Sequence, residues 1–220
     1  MEIQVMKAIM EDNISRAESL RELFREKKIL VLNLISSPGS GKTTLLEKTI
    51  ENLKEEYSIG VIEGDITTSR DAQRLQQFNI PQVVINTDGA CHLNSMSIEK
   101  ALEEFDLDFM DILFVENVGN LVCPSEFDIG ETAKIALVST TEGDDKPAKY
   151  PLLFQEAEAA LLNKIDLVPY TNFRKDLFYK DLKNINPKIK VIETSCTAGD
   201  GLEEWYGWVR EKTNNLEVKL

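Results

Sequence analysis

The stretch Ile35-Ser36-Ser37-Pro38-Gly39-Ser40-Gly41-Lys42-Thr43-Thr44 leaves this chain few ways to fold. It follows the largely apolar run Ile29 to Leu34 and opens a segment with helical patterning. A strand that turns through glycines into a helix aims several backbone N–H groups, and the positive end of the helix dipole, at one anion. Gly39 and Gly41 let the main chain approach phosphates with no Cβ in the way. Ser37, Pro38 and Ser40 line the same turn. Lys42 reaches the β- and γ-phosphates, and Thr43, followed by Thr44, offers its hydroxyl to Mg²⁺. The general pattern has glycine where this chain has Ser36. A glycine-rich strand-to-helix turn occurs without any ligand, so a second motif has to decide.

Asn163-Lys164-Ile165-Asp166 supplies it. The mostly apolar Ala157 to Leu162 precedes it, which places it at the carboxyl end of a strand, where open α/β sheets bind ligands. A carboxylate there accepts two hydrogen bonds from guanine N1 and N2. Adenine lacks that donor pair and would leave a charge unmatched. Lys164 can lay its aliphatic stem along the base. Thr194-Ser195-Cys196-Thr197 follows the strand-like Lys190-Val191-Ile192, so Ser195 and Cys196 sit in a loop able to close over the base. The three elements come in the order expected for GTP rather than ATP.

Apolar and amphipathic runs alternate along the 220 residues. Strands are expected over 29–35, 58–62, 82–86, 112–116, 135–140, 158–163 and 189–193, and helices over 42–55, 68–78, 94–104, 171–184 and 202–213. Recurring strand–helix–strand units imply right-handed crossovers and a mostly parallel sheet of about seven strands, with helices on both faces. Residues 1–28 read as an amphipathic helix packed on this core, and 29–220 as a nucleotide-binding domain, together one domain. The segment 141–147 reads as a loop and 214–220 as a frayed tail.

A formal net charge of −13 argues against a nucleic-acid or anionic-membrane surface, since both need a basic footprint. No apolar run approaches bilayer length and no signal core opens the chain, so a cytoplasmic protein is expected. Three cysteines, an odd count, are then thiols rather than a disulfide frame.

Glu63-Gly64-Asp65 ends the second expected strand and Glu116-Asn117-Val118-Gly119 the fourth. Parallel strands would bring both to the rim of the phosphate loop. Asp65 and Glu116 are the expected carboxylates for Mg²⁺, and Asp71 a candidate for orienting the attacking water, or simply a helix N-terminal acid. Gly119 would offer its N–H to a γ-phosphate and lose it after hydrolysis. Cys91 and His92, the only histidine, adjoin each other ahead of a helix whose dipole would favour the thiolate, and Cys123 lies just past Gly119. Thiolate and imidazole suit Zn²⁺ and Ni²⁺. One chain offers three such ligands, and a two-fold pair would pool six. Packed apolar thiols are the alternative.

Taken together, the phosphate loop, Gly64-Asp65 with Asp71, Cys91-His92, Glu116 through Pro124, Thr141 through Pro147 and Asn163-Lys164-Ile165-Asp166 resemble the hydrogenase nickel-incorporation GTPase family (HypB). The resemblance runs from about Asn13 onward and is most specific over 116–124. It implies a SIMIBI-like P-loop NTPase fold and a nucleotide-gated metallochaperone for the large subunit of a nickel–iron hydrogenase, working with another nickel-delivery protein. GTP hydrolysis would be slow and coupled to dimerisation. The residues Cys91, His92 and Cys123 would hold nickel or zinc at the dimer interface, with Lys146 and Lys149 near nucleotide across it. Cysteine or histidine-rich motifs found near the N-terminus of some relatives are missing, because the first 90 residues contain neither residue type. This chain therefore looks like a minimal form. A urease-type nickel GTPase, a small-molecule phosphotransferase and a metal-storage scaffold are the competing readings.

Overall fold

The strand β1 (Leu30–Ser36) is buried along its whole length and alternates between two faces. Leu30, Leu32 and Leu34 enter one core, while Val31 and Ile35 enter those on the other side. A strand covered on both faces should read as a continuous apolar run, as this one does. The structure, a computed structural model, describes residues 2–65 and 74–218. Those residues form a seven-stranded sheet of β1, β2 (Ile59–Asp65), β3 (Gln82–Asn86), β4 (Ile112–Glu116), β5 (Ala133–Ser139), β6 (Ala159–Asn163) and β7 (Lys190–Glu193). The order is β3-β2-β4-β1-β5-β6-β7, and every neighbouring pair is parallel. The α/β class and parallel sheet match the sequence reading.

Two helices, α1 (Glu2–Lys27) and α2 (Lys42–Leu53), flank β1 in the chain. Further along lie α3 (Ser95–Ala101), α4 (Cys123–Glu126), α5 (Lys146–Lys149), α6 (Pro151–Glu156), α7 (Lys175–Ile185) and α8 (Leu202–Val218). One face of the sheet is covered by α2 and α8 through Leu45, Leu46, Ile50, Trp205 and Val209. On the other face, α1 and α3 contribute Leu20, Phe24 and Ile98, and α6 and α7 contribute Phe154, Phe178 and Leu182. Asn13 ties α1 in place: its amide donates to the Asp128 carbonyl at 2.8 Å and accepts from the Ser95 N–H at 3.0 Å. Among the described residues no helix is long and apolar enough to cross a membrane.

Several boundaries differ from the sequence reading, each for a local reason. β2 runs on to Asp65 because Glu63 and Gly64 pair with Val84 and Ile85 of β3. The expected loop 141–147 instead forms a 3-10 turn over Thr140–Glu142, closed by a Ser139–Glu142 capping box, and then α5 with Pro147 in its first turn. A proline costs little there, since the first-turn N–H groups lack intrahelical partners anyway. Lys175, rather than 171, begins α7 after the 3-10 stretch Ile165–Tyr170. The tail expected to fray continues as helix to Val218, because Thr213 is buried and Leu216 packs on the core. Of the helix expected over 68–78, residues 68–73 lie outside the described residues.

Candidate functional site

Parallel strands place all their carboxyl ends on one rim, so Ser36, Asp65, Glu116 and Asn163 end there together. β1 lies between β4 and β5, and the chain departs in opposite directions on its two sides. That reversal opens a crevice above β1. A cleft of about 560 Å³ occupies it, lined among others by Pro38, Gly39, Lys42, Thr43, Glu116 and Lys164.

The loop Ser37–Gly41 is held from below by Ser36. The Ser36 hydroxyl accepts from Lys42 Nζ at 2.8 Å and from Ser40 Oγ at 2.6 Å, and donates to the Ser37 carbonyl. The departure from glycine thus gives the loop lysine an internal partner. Gly41 has φ +105°, and a Cβ there would stand 2.5 Å from Asn163 Nδ2, so no other residue fits without strain. Thr43 Oγ1 donates to Glu116 Oε1 at 2.9 Å, and both residues are buried. Two hard oxygens converging beside a phosphate loop fit Mg²⁺. Asp65 ends β2 on the same rim, whereas Asp71 lies outside the described residues.

The Asn163–Asp166 motif braces the loop as well as following β6. Asn163 Nδ2 donates to the Ser40 carbonyl at 2.9 Å, while its Oδ1 accepts from Thr194 Oγ1 and the Cys196 N–H, each at 3.3 Å. One amide therefore joins the phosphate loop to the loop that carries Thr194 and Cys196. Lys164, in the left-handed region at φ 60°, donates Nζ to the Gly39 carbonyl at 2.7 Å. Asp166 is exposed, and Ser195 is buried with its Oγ accepting from the Ala198 N–H. Burial pushes the Cys196 thiol up to about 11, which suits packing and not ligation.

Past Glu116 the chain turns under the loop. A Cβ on Gly119 would come within 2.9 Å of Pro38 Cγ and 3.2 Å of its Cα, so only glycine allows this approach. The same segment reaches Cys123, where α4 begins. Ligand atoms of Cys91, His92 and Cys123 lie within 4.8 Å of one another. Donors about 2.0–2.3 Å from one ion stand less than about 4.6 Å apart, so a small closure seats a thiophilic metal. His92 stacks on Phe127 at 3.8 Å, and burial holds its imidazole below the ordinary range although Glu126 pulls the other way. A neutral ring has a lone pair to offer. The expectation of a favoured Cys91 thiolate is corrected. A hydrogen bond with Cys123 pushes that thiol up, and α3 starts only at Ser95, after its Asn94 cap. Lys146 and Lys149 face Glu142 at 3.7 Å and Asp145 at 2.6 Å in their own segment.

Four residues of the site escaped the sequence reading as actors. Glu63 is buried and lines the cleft beside Glu116, its register partner. Arg74 lines it too, donating to Thr44 Oγ1 at 3.1 Å. Asn33 and Asn117 are buried side by side behind the rim, with Asn117 Nδ2 donating to Asn33 Oδ1 at 3.1 Å. An asparagine within an apolar strand run was the one visible signal, at Asn33.

Comparison with known proteins follows the same lines. Residues 30–193 match the family described as CobW/HypB/UreG, nucleotide-binding domain. The chain is 47% identical over 201 residues to the hydrogenase maturation factor HypB of Escherichia coli (strain K12), which covers 91% of this chain and 69% of that one. It is 40% identical to the hydrogenase/urease maturation factor HypB of Helicobacter hepaticus, over 96% of this chain and 88% of that one. The crystal structure of HypB from Helicobacter pylori in complex with nickel superposes with a TM-score of 0.87 at 38% identity, covering 93% of this chain and 96% of that chain. The match embraces both nucleotide motifs and the segment between them, and the chain therefore belongs to the HypB family of hydrogenase maturation factors, with the nucleotide-binding P-loop NTPase domain of that family.

Proposed function

We propose that the chain is a GTP-hydrolysing metallochaperone whose nucleotide state sets how firmly Cys91, His92 and Cys123 hold a nickel or zinc ion. One observation carries this: the segment Glu116–Cys123 starts at the partner of Thr43, touches Pro38 through Gly119, and ends at a donor of the thiol–imidazole cluster. A γ-phosphate that draws the Gly119 N–H toward it must move the same short segment that carries the Cys123 sulfur.

In this reading Lys42 leaves the Ser36 hydroxyl for phosphate oxygens, and the backbone N–H groups of Gly39–Thr44 stabilise charge on the transferring group. Thr43, Glu116 and Asp65 would hold Mg²⁺, which supplies counter-charge when bound. Asp166 reads guanine, Lys164 covers the base, and Asp71 orients water. Hydrolysis is slow, and release of phosphate loosens the switch segment. Three donors per chain leave a four-coordinate ion unfinished, so a two-fold dimer formed with nucleotide completes the site. The cargo is nickel for the large subunit of a nickel–iron hydrogenase, received through another accessory protein. The name of the Helicobacter hepaticus relative favours a second reading, in which the same ion also serves urease.

Phosphate release without any added acceptor tests the reaction, and Lys42→Ala should lower it by at least about a hundredfold. Metal affinity, measured with a competing chelator, should differ between the GTP-analogue and GDP forms. Equal affinities would sever the linkage even if the GTPase stands. Recovering apo-urease as well as apo-hydrogenase with the loaded chain would favour the second reading.

A further inference from the structure

Behind the rim, a ladder of buried amides joins the nucleotide cleft to the metal cluster through a route other than the chain itself. Asn117 directly follows Glu116 and is only 1% exposed. Its Oδ1 accepts two backbone N–H groups: that of Val118 at 3.0 Å, one residue before Gly119, and that of Leu93 at 3.1 Å, one residue after His92. Its Nδ2 donates to Asn33 Oδ1 on β1 at 3.1 Å. Asn33 in turn donates to Glu131 Oε1 at 3.3 Å, and Glu131 Oε2 accepts from the Ile129 N–H at 2.8 Å. Leu93 is wholly buried, and a Cβ added to Gly64, which lines the cleft, would stand 2.9 Å from Leu93 Cγ.

We infer that Asn117 is a positioning residue that passes the nucleotide state from the Val118–Gly119 backbone to the Cys91–His92 loop. The inference rests on the nucleotide-linked metal binding proposed above and names the residue that carries it. The amide group is planar and its far end is fixed by Asn33. A shift of Val118 toward the cleft therefore either breaks its bond to Oδ1 or turns the amide, and turning withdraws the acceptor from Leu93 N–H. In a buried site that N–H has no water to replace it, so the two bonds are made and lost together. Both arms of the cluster then respond to one event: Cys123 through the chain, and Cys91 with His92 through Asn117.

The test measures zinc affinity of the full chain against a competing chelator, with Mg²⁺ and either GDP or a non-hydrolysable GTP analogue. In the natural chain the two affinities should differ by about tenfold or more, within the usual range of coupling between sites. Asn117→Ala should collapse that ratio to within about twofold while the far-ultraviolet circular dichroism stays unchanged, which a loss of fold would not do. A ratio kept at its natural value in the folded variant overturns the role of Asn117 and leaves the proposed function intact. No difference between nucleotide states in the natural chain overturns both. Should Asn117→Ala fail to fold, hydrogen exchange at the Leu93 amide of the natural chain decides: a rate changed about tenfold or more between the two nucleotides supports the role, and a smaller change or none overturns it.

Discussion

Around the nucleotide cleft, polar side chains hold one another and the loop's backbone: Lys42 on Ser36, Thr43 on Glu116, Asn163 on the Ser40 carbonyl and Lys164 on that of Gly39. Around Cys91, His92 and Cys123 the support is thinner. It includes a ring stack on Phe127, a thiol–imidazole contact of 3.6 Å and a 3.4 Å bond from Asn120 to the Cys91 carbonyl. Under the proposed function the contrast follows from duty. A site that must distinguish a triphosphate from a diphosphate gains from a preorganised cradle, because fixed dipoles need no rearrangement when charge arrives. A site that must give up its ion gains from an unfinished donor set, since a later acceptor needs a coordination position to attack.

The largest test of that contrast is Gly41→Ala. A Cβ at φ +105°, facing Asn163 Nδ2, should cost about 3 kcal/mol at the cradle. A labelled GTP analogue should then bind on the order of a hundredfold more weakly, with zinc affinity of the nucleotide-free chain unchanged. Zinc affinity falling in parallel would mean that the two regions are not separately built. Cys123→Ser is the converse. Loss of a thiolate should weaken zinc binding by at least about tenfold to a hundredfold, the cost already seen for groups that merely orient ligands. Titration of the same nucleotide should move by less than about twofold. The smallest effect concerns thiol chemistry. Cys196 is buried with its pKa raised to about 11, so at pH 8 it is protonated, and its thiolate fraction grows only as pH climbs toward that value. Mass spectrometry after brief alkylation at pH 8 should find Cys196 unmodified in the folded chain and modified in urea. Rapid labelling of folded Cys196 would show that the base loop is as open as the metal cluster.

Legibility in the sequence split along the same line. The phosphate loop was readable because its chemistry is local: strand, glycines, lysine and threonine are adjacent in the chain, and the apolar run of β1 announces the strand. The seven strands were readable for the same reason, as short runs rich in apolar residues, buried on both faces in β1, β4 and β6 and partly exposed in the edge strands β3 and β7. Helix limits were less so. Glu142 of the Ser139 capping box and Pro147 at the start of α5 sat inside 141–147, a stretch whose polarity resembled a loop. The roles of Glu63, Arg74, Asn33 and Asn117 could not be read, since each depends on a neighbour brought close by strand order.

Composition and motif spacing by themselves determined an α/β nucleotide-binding chain with a thiol–imidazole set nearby, because apolar period and glycine placement act over a few residues. Only the tertiary structure decided that Asn163 would brace Ser40, that Gly119 would pass beneath Pro38, and that Asn117 would reach Leu93. Those contacts arise when parallel strands from distant parts of the chain end on one rim, and no local propensity encodes a distance across a sheet.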